Sequence, residues 1–282
     1  MIFLIALNLT AQEKDSLIRT MVLSAIAVSI LAIYQYFFGF THILEYLNKG
    51  NTGNLFLLDT IGQKRVFLPF ASPNMLAGYL IMVIPLCLID KKRRIYILPL
   101  CIGLVLTKSL GAIISLFMVL IIYGVLRFKS NKKIVAFAAI GVLTILLIVF
   151  LRNCSQRWHF TPGFSVMMRW GYWQDTWAVI KNNIFTGVGI GNFDLPDSRF
   201  AHNSYLQIWA EMGIPGILAF IYLILGISRS AIRKLTRLGL DYKYMAIFLA
   251  WSVFLLHNSV DFTFFLPEVS FVWWLLCGLL LI

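Results

Sequence analysis

Apolar residues run along this chain in eight long blocks, at about 17–38, 72–89, 95–107, 109–126, 134–151, 204–228, 244–261 and 267–282. Crossing about 30 Å of hydrocarbon takes roughly 20 helical residues, and most of the blocks approach that length. Only a helix satisfies its backbone polar groups within its own segment, so the pattern predicts an all-α polytopic transmembrane bundle of about 8 membrane segments. Two blocks are short enough to need neighbours in order to cross. The whole of 1–282 reads as a single membrane domain.

The blocks are bounded by basic loops. Asp90-Lys91-Lys92-Arg93-Arg94 carries four cations, Arg127, Lys129, Lys132 and Lys133 form a second group, and Arg229, Arg233, Lys234, Arg237 and Lys243 a third. Basic loops stay cytoplasmic. Alternation then places 39–71, the Thr107-Lys108-Ser109 turn, the long segment 152–203 and the corner at 262–266 outside. Composition agrees: of 282 residues, 60% are hydrophobic and only 13% charged, more apolar surface than a soluble domain could hide. The formal charge of +12 is therefore explained by topology, and nucleic acid is not expected as a partner. Cys87, Cys101 and Cys277 lie inside apolar blocks and act as small hydrophobes, while Cys154 sits in a loop. Neither a disulfide framework nor a CxxC metal site can be read.

Residues 1–16 are polar from Thr10 onward and lack the cleavage pattern of a signal peptide. They read as the end of an earlier helix, which suggests a fragment or a short member of a longer type.

The segment 152–203 is long for a connection, and long loops are functional or disordered. Its composition argues against disorder, since Trp158, Phe160, Phe164, Trp170, Tyr172, Trp173 and Trp177 fall within it. Met167, Trp170, Trp173, Trp177 and Ile180 recur at helical spacing, so Ser165–Lys181 reads as a short amphipathic helix suited to the headgroup level. A membrane-interface anchor is one reading of these tryptophans and a functional surface is the other. Gly187-Val188-Gly189-Ile190-Gly191 follows, and without a preceding strand this GxGxG is not a dinucleotide site. Next comes His202-Asn203-Ser204, then an apolar run to Met212 and Gly213-Ile214-Pro215-Gly216. Asn203 or Ser204 can cap a short helix, Gly213 can end it and Pro215 can open the next.

Arg169 to Phe193 with its GxGxGxF turn, then His202-Asn203, nine residues and Gly213-x-x-Gly216, resembles the signature of the O-antigen ligase and polymerase superfamily. Flanking matches are Tyr34-Gln35-Tyr36-Phe37, Arg65 ahead of Ser72-Pro73-Asn74-Met75-Leu76-Ala77, and His257 with Asp261 before Pro267. Leu110 stands where the family commonly has arginine, so either Lys108 supplies that charge or the site lacks it.

The resemblance implies an inverting, metal-independent membrane glycosyltransferase without a cofactor, acting in lipopolysaccharide or polysaccharide biosynthesis at the bacterial inner membrane. Its donor would be an undecaprenyl-diphosphate-linked glycan. Its acceptor would be a glycan, a lipid A core or a protein hydroxyl, with membrane lipids around it. A departing diphosphate calls for fixed arginines, which stay charged and grip phosphate oxygens bidentately. Arg65 and Arg169 are the catalytic candidates, with Arg157, Arg152 and Lys108 as further donor-binding groups or snorkelling interface charges. An acceptor hydroxyl needs a base or an orienting group, and His202 has the right chemistry near neutral pH. Its place at a helix N-terminus favours the neutral ring. Asn203 beside it, and His257 with Asp261 one helical turn apart, complete the substrate-binding candidates. His202, His257, Asp261 and Glu211 are metal-ligand types, yet only His257 and Asp261 have ligand spacing, and no metal is expected. The alternatives are a transporter or flippase for lipid-linked sugars, which should show mid-membrane charges and inverted repeats, and a non-catalytic membrane scaffold.

Overall fold

The computed structural model describes residues 2–50, 60–127, 131–153, 162–237 and 241–281. Among these residues every extended element is helical and no strand forms. In chain order the helices are α1 (Ile2–Leu7), α2 (Ala11–Tyr34), α3 (Phe40–Gly50), α4 (Pro73–Val83), α5 (Ile97–Thr107), α6 (Leu110–Arg127), α7 (Asn131–Asn153), α8 (Pro162–Asn182), α9 (Ser204–Arg237), α10 (Tyr242–His257) and α11 (Pro267–Leu281).

Thr10 opens α2 with a capping box: its hydroxyl accepts from the Glu13 backbone N–H while the Glu13 carboxylate accepts from the Thr10 N–H. The helix therefore starts six residues before the apolar block does. At its other end α2 passes without a break through a π-helical turn, Gln35–Gly39, into α3. Part of the predicted outer loop 39–71 is thus helix, because nothing after Phe40 stops the ladder before Gly50.

Ser72 caps α4, its hydroxyl accepting from the Met75 N–H, and Pro73 takes the first turn where no donor is missed. Pro85 then tightens the chain into a 3₁₀ segment, Ile84–Leu88. α4 is the central helix. Met75 through Val83 are all buried, enclosed by α2, α5, α6, α10 and α11. Around it Trp251 and Phe254 of α10 and Trp273 of α11 form the largest fully buried side chains, their rings in mutual contact.

The outer helices are apolar on both faces: Leu23, Ile30, Leu98, Ile122, Leu146 and Leu225 are exposed. Such all-round hydrophobicity suits lipid contact. Two helical stretches, Ala11–Glu45 and Ser204–Arg237, are long and apolar enough to cross a membrane by length and composition, and five shorter apolar stretches accompany them. The α5 block is one of the two that looked short, at 11 residues or about 16 Å.

The block 204–228 is interrupted. Gly213 takes φ +66° and ψ −166°, so a short helix Ser204–Met212 ends there and the membrane-length helix restarts at Pro215, as the Gly-x-Pro spacing predicts.

The two ends of the bundle differ. At one end Arg19, Asp90, Lys92 and Arg93 cluster, Lys243 pairs with Asp15, and Lys234 lies over the Tyr244 ring. At the other end of α2 and α4 the loops 60–72, 107–110, 183–203 and 258–266 converge with α8.

Candidate active site

Gln35, buried in the π turn, accepts backbone N–H bonds from Phe67 and Leu68 through Oε1, at 2.8 and 2.9 Å. The widened turn lets a helix side chain hold a loop, a use typical of π bulges at working sites. That loop carries Arg65. The Arg65 guanidinium donates from Nε to the Thr107 carbonyl, which ends α5, and from Nη2 to Asn74 Oδ1. Of its five N–H groups, about three remain for a ligand.

Asn74 stands at the start of α4 and joins the site together. Its Oδ1 accepts from both Arg65 and the Ser109 hydroxyl, and its Nδ2 donates to Asp261 Oδ2 at 2.7 Å. The same Asp261 oxygen lies 3.7 Å from Nη2 of Arg169, projecting from α8. Asp261 Oδ1 accepts from the Phe262 N–H, so both carboxylate oxygens are engaged from within the protein.

His202 precedes the cap of α9. Asn203 Oδ1 accepts from the Tyr205 and Leu206 N–H groups, which fixes the start of the helix and gives Asn203 a structural task. His202 itself adopts φ +51°, a left-handed conformation that costs energy for any residue with a Cβ. Its ring stacks on Tyr172 at 5.4 Å and meets the edge of Phe262 at 4.7 Å. Nδ1 is buried and has no hydrogen-bond partner among the described residues. Burial pushes the imidazole down to about 4, with Asp261 opposing and Arg169 adding to the shift. The ring is therefore neutral at physiological pH, a free base in a strained backbone position.

The GxGxG turn locks onto the Gly213 break. Val188 and Gly189 donate backbone N–H bonds to the carbonyls of Ala210 and Glu211, and Ile214 donates back to Ile184. A Cβ on Gly187 would lie 2.3 Å from the Glu211 carbonyl oxygen, and one on Gly213 would lie 2.1 Å from that of Phe185. Glycine is needed here because two backbones touch. The Glu211 carboxylate accepts from the Gly191 N–H and from the Gln207 side chain, which makes it a latch for the turn. The unit holds α8 against α9 through Tyr172, Val179 and Ile180, packed with Phe193 and Ala210.

Between these parts lies a cleft of about 660 Å³. Arg65, Arg152, Arg169, Asn74, Tyr172 and His202 line its polar side, and Leu110, Ile114, Met118 and Val260 line an apolar flank. Among the described residues, no carboxylate lines it. The three guanidinium groups crowd one another. Burial, then the charges of Arg152 and Arg169, push Arg65 down to about 9, with Asp261 offsetting part of this. A polyanion would relieve that repulsion.

Of the residues expected at the site, Arg65, Arg152, Arg169 and His202 converge. Lys108 does not: it caps α5 in a left-handed conformation and its ammonium donates to the Gln63 carbonyl. His257 and Asp261 do not share a helix face, because α10 ends at His257 and Asp261 lies in the following turn. The His257 ring is wedged between Gly78 and Gly111 and stays out of the cleft. Arg157, with Cys154, Trp158 and Phe160, lies outside the described residues. Along α8 the tryptophan stripe is largely exposed, as a membrane-interface face requires, and only its last member, Ile180, is buried. Met167, Trp170 and Trp177 are exposed, while Tyr172, Thr176, Val179 and Ile180 make the packed face of α8. Asn74 and Tyr172 were not singled out as site residues. The only signal for Asn74 was its Ser-Pro-Asn setting, and for Tyr172 its place among aromatics.

Apolar helices thus surround a cleft whose described lining is cationic. Residues 95–221 match the O-antigen ligase family, which makes this stretch of the chain similar to that family. Arg152, Arg169, His202 and the Gly213 break fall within the match, and the fold brings Arg65, Asn74 and Asp261 to them from outside it. No curated protein matches the chain. The family is one of membrane proteins and implies a glycosyl-transferring enzyme that ligates or polymerises glycans.

Proposed function

We propose that this chain transfers or polymerises an undecaprenyl-diphosphate-linked oligosaccharide on the periplasmic face of the bacterial inner membrane. The observation that carries the reading is one cleft lined by three arginines and a neutral histidine. The arginines match a diphosphate, and the apolar flank of Leu110, Ile114 and Met118 matches the first isoprene units of its carrier.

In the reaction the acceptor oxygen attacks the anomeric carbon of the donor sugar from the side opposite the diphosphate, so the configuration inverts. The new carbon–oxygen bond forms as the bond to the diphosphate oxygen breaks, and the electron pair leaves with the lipid diphosphate. Arg65, Arg152 and Arg169 stabilise that charge as it develops. His202 takes the proton of the acceptor hydroxyl, which is the role its neutral, unpartnered nitrogen fits. Asn74 and Asp261 position the two arginines from behind.

Charge supports the periplasmic side for the cleft: Arg19, Lys92 and Arg93 lie at the end of the bundle away from it, and basic loops remain in the cytoplasm. The test is glycan transfer in a strain lacking its own ligase or polymerase. Arg169→Ala and His202→Ala should each lose about 100-fold or more of the transferred glycan at unchanged membrane abundance. Full transfer by both variants would refute the reading.

A further inference from the structure

At the end of the bundle away from the cleft, a second cavity of about 410 Å³ lies between the start of α2 and the 3₁₀ turn Lys91–Tyr96. Among the described residues, Arg19, Lys92 and Arg93 line it with a single carboxylate, Asp90. Asp90 is already engaged, since it caps the turn by accepting from the Lys92 N–H at 3.2 Å. Arg93 Nη1 is buried without a hydrogen-bond partner among the described residues. A buried guanidinium N–H left unsatisfied is costly, and a phosphate oxygen is its best partner.

The cavity is amphipathic. Its remaining walls are Val22, Leu23 and Tyr96, and Leu23 is exposed on the face of α2 that continues outward to Ile30. A soluble anion would gain nothing from that apolar track, whereas an acyl chain would lie along it.

We propose that this pocket binds the headgroup phosphate of one anionic phospholipid, its acyl chain running along Leu23 and Ile30 of α2. Three cations against one carboxylate favour a lipid with a net negative charge over a zwitterionic one. The site holds α2 to the loop after α4. Those two helices carry Gln35 and Asn74 at their far ends, so the lipid braces the cleft from the opposite side of the bundle. The inference stands on its own residues and holds whatever glycan the cleft handles.

Native mass spectrometry of the full chain in detergent, titrated with phosphatidylglycerol, phosphatidylcholine or inorganic phosphate, tests it. Each interfacial cation is worth about fivefold in affinity. The Arg19→Gln/Arg93→Gln variant should hold its tightest phosphatidylglycerol roughly 25-fold more weakly. Asp90→Asn keeps the capping oxygen and removes the repulsion, so it should bind several-fold more tightly. Arg94→Gln, outside the pocket, should match the parent. A misfolded variant cannot gain affinity, so the Asp90→Asn result separates binding from folding. The proposal is overturned if all variants bind phosphatidylglycerol alike, if phosphatidylcholine binds equally well, or if millimolar inorganic phosphate displaces the lipid.

Discussion

Asn74 Nδ2 donates a 2.7 Å hydrogen bond to Asp261 across 187 residues of sequence. The bond joins the start of the central helix to the turn after α10, and through Asp261 to Arg169 on α8. Because Asn74 Oδ1 also accepts from Arg65 and Ser109, one amide sets the spacing of two of the three cleft arginines.

Asn74→Ala should therefore lower glycan transfer about 100-fold, the order expected when a catalytic group shifts by about an ångström. Membrane abundance, read by immunoblot, should change little by comparison. A parallel loss of both would assign Asn74 to folding alone.

His202 gives a pH signature. Its folded value lies near 4, below the ordinary 6.5, so the unfolded chain binds more protons between those values. Stability is fully present above about pH 6.5 and falls as pH drops towards 4. Over the same window the folded imidazole stays neutral, so the rate of transfer should hold through pH 6 and fall only near 4 to 5. Tyr172→Ala removes the stacked ring and admits water, and should move that acid limb upward towards 6.5.

The glycines separate cleanly. Gly213→Ala places a Cβ at 2.1 Å from a carbonyl oxygen at a φ of +66°, and should cost at least about 3 kcal/mol. Gly226→Ala, in α9 with nothing within 4 Å, should be neutral or stabilise by about 0.5–1 kcal/mol. Thermal unfolding in detergent distinguishes the two.

Trp170 and Trp177 are exposed on α8, whereas Trp251 and Trp273 are buried in the bundle. Lipids brominated near the headgroup should quench the first pair and spare the second. Double replacement of Trp170 and Trp177 by Phe should remove most of that quenching.

Hydropathy and basic loops made the helical class, the two-sided charge and the short helix before Gly213 legible, because each rests on local composition or turn chemistry. Arg65, Arg169 and His202 could be named as single residues by motif. Their joining could not, since the sequence pairs Asp261 with its neighbour His257, whereas the fold joins Asp261 to Asn74 and Arg169 from distant parts of the chain. The partner of Lys108 was hidden for a related reason. The lysine sits in the expected turn, but its left-handed backbone sends the ammonium to Gln63. The tryptophan stripe showed periodicity without saying which face packs against the protein: the fold buries Thr176 and Ile180, while Trp177 meets Trp209 of α9 edge-on.

If the cleft arginines hold the departing lipid diphosphate, transfer depends on the Arg65 guanidinium. The full chain, reconstituted in vesicles with an undecaprenyl-diphosphate-linked glycan and an acceptor, is compared with Arg65→Ala and Arg65→Lys by the rate of glycan transfer. Loss of about 100-fold or more in Arg65→Ala, with partial recovery in Arg65→Lys, is the predicted result. Transfer by Arg65→Ala at the parent rate would contradict it.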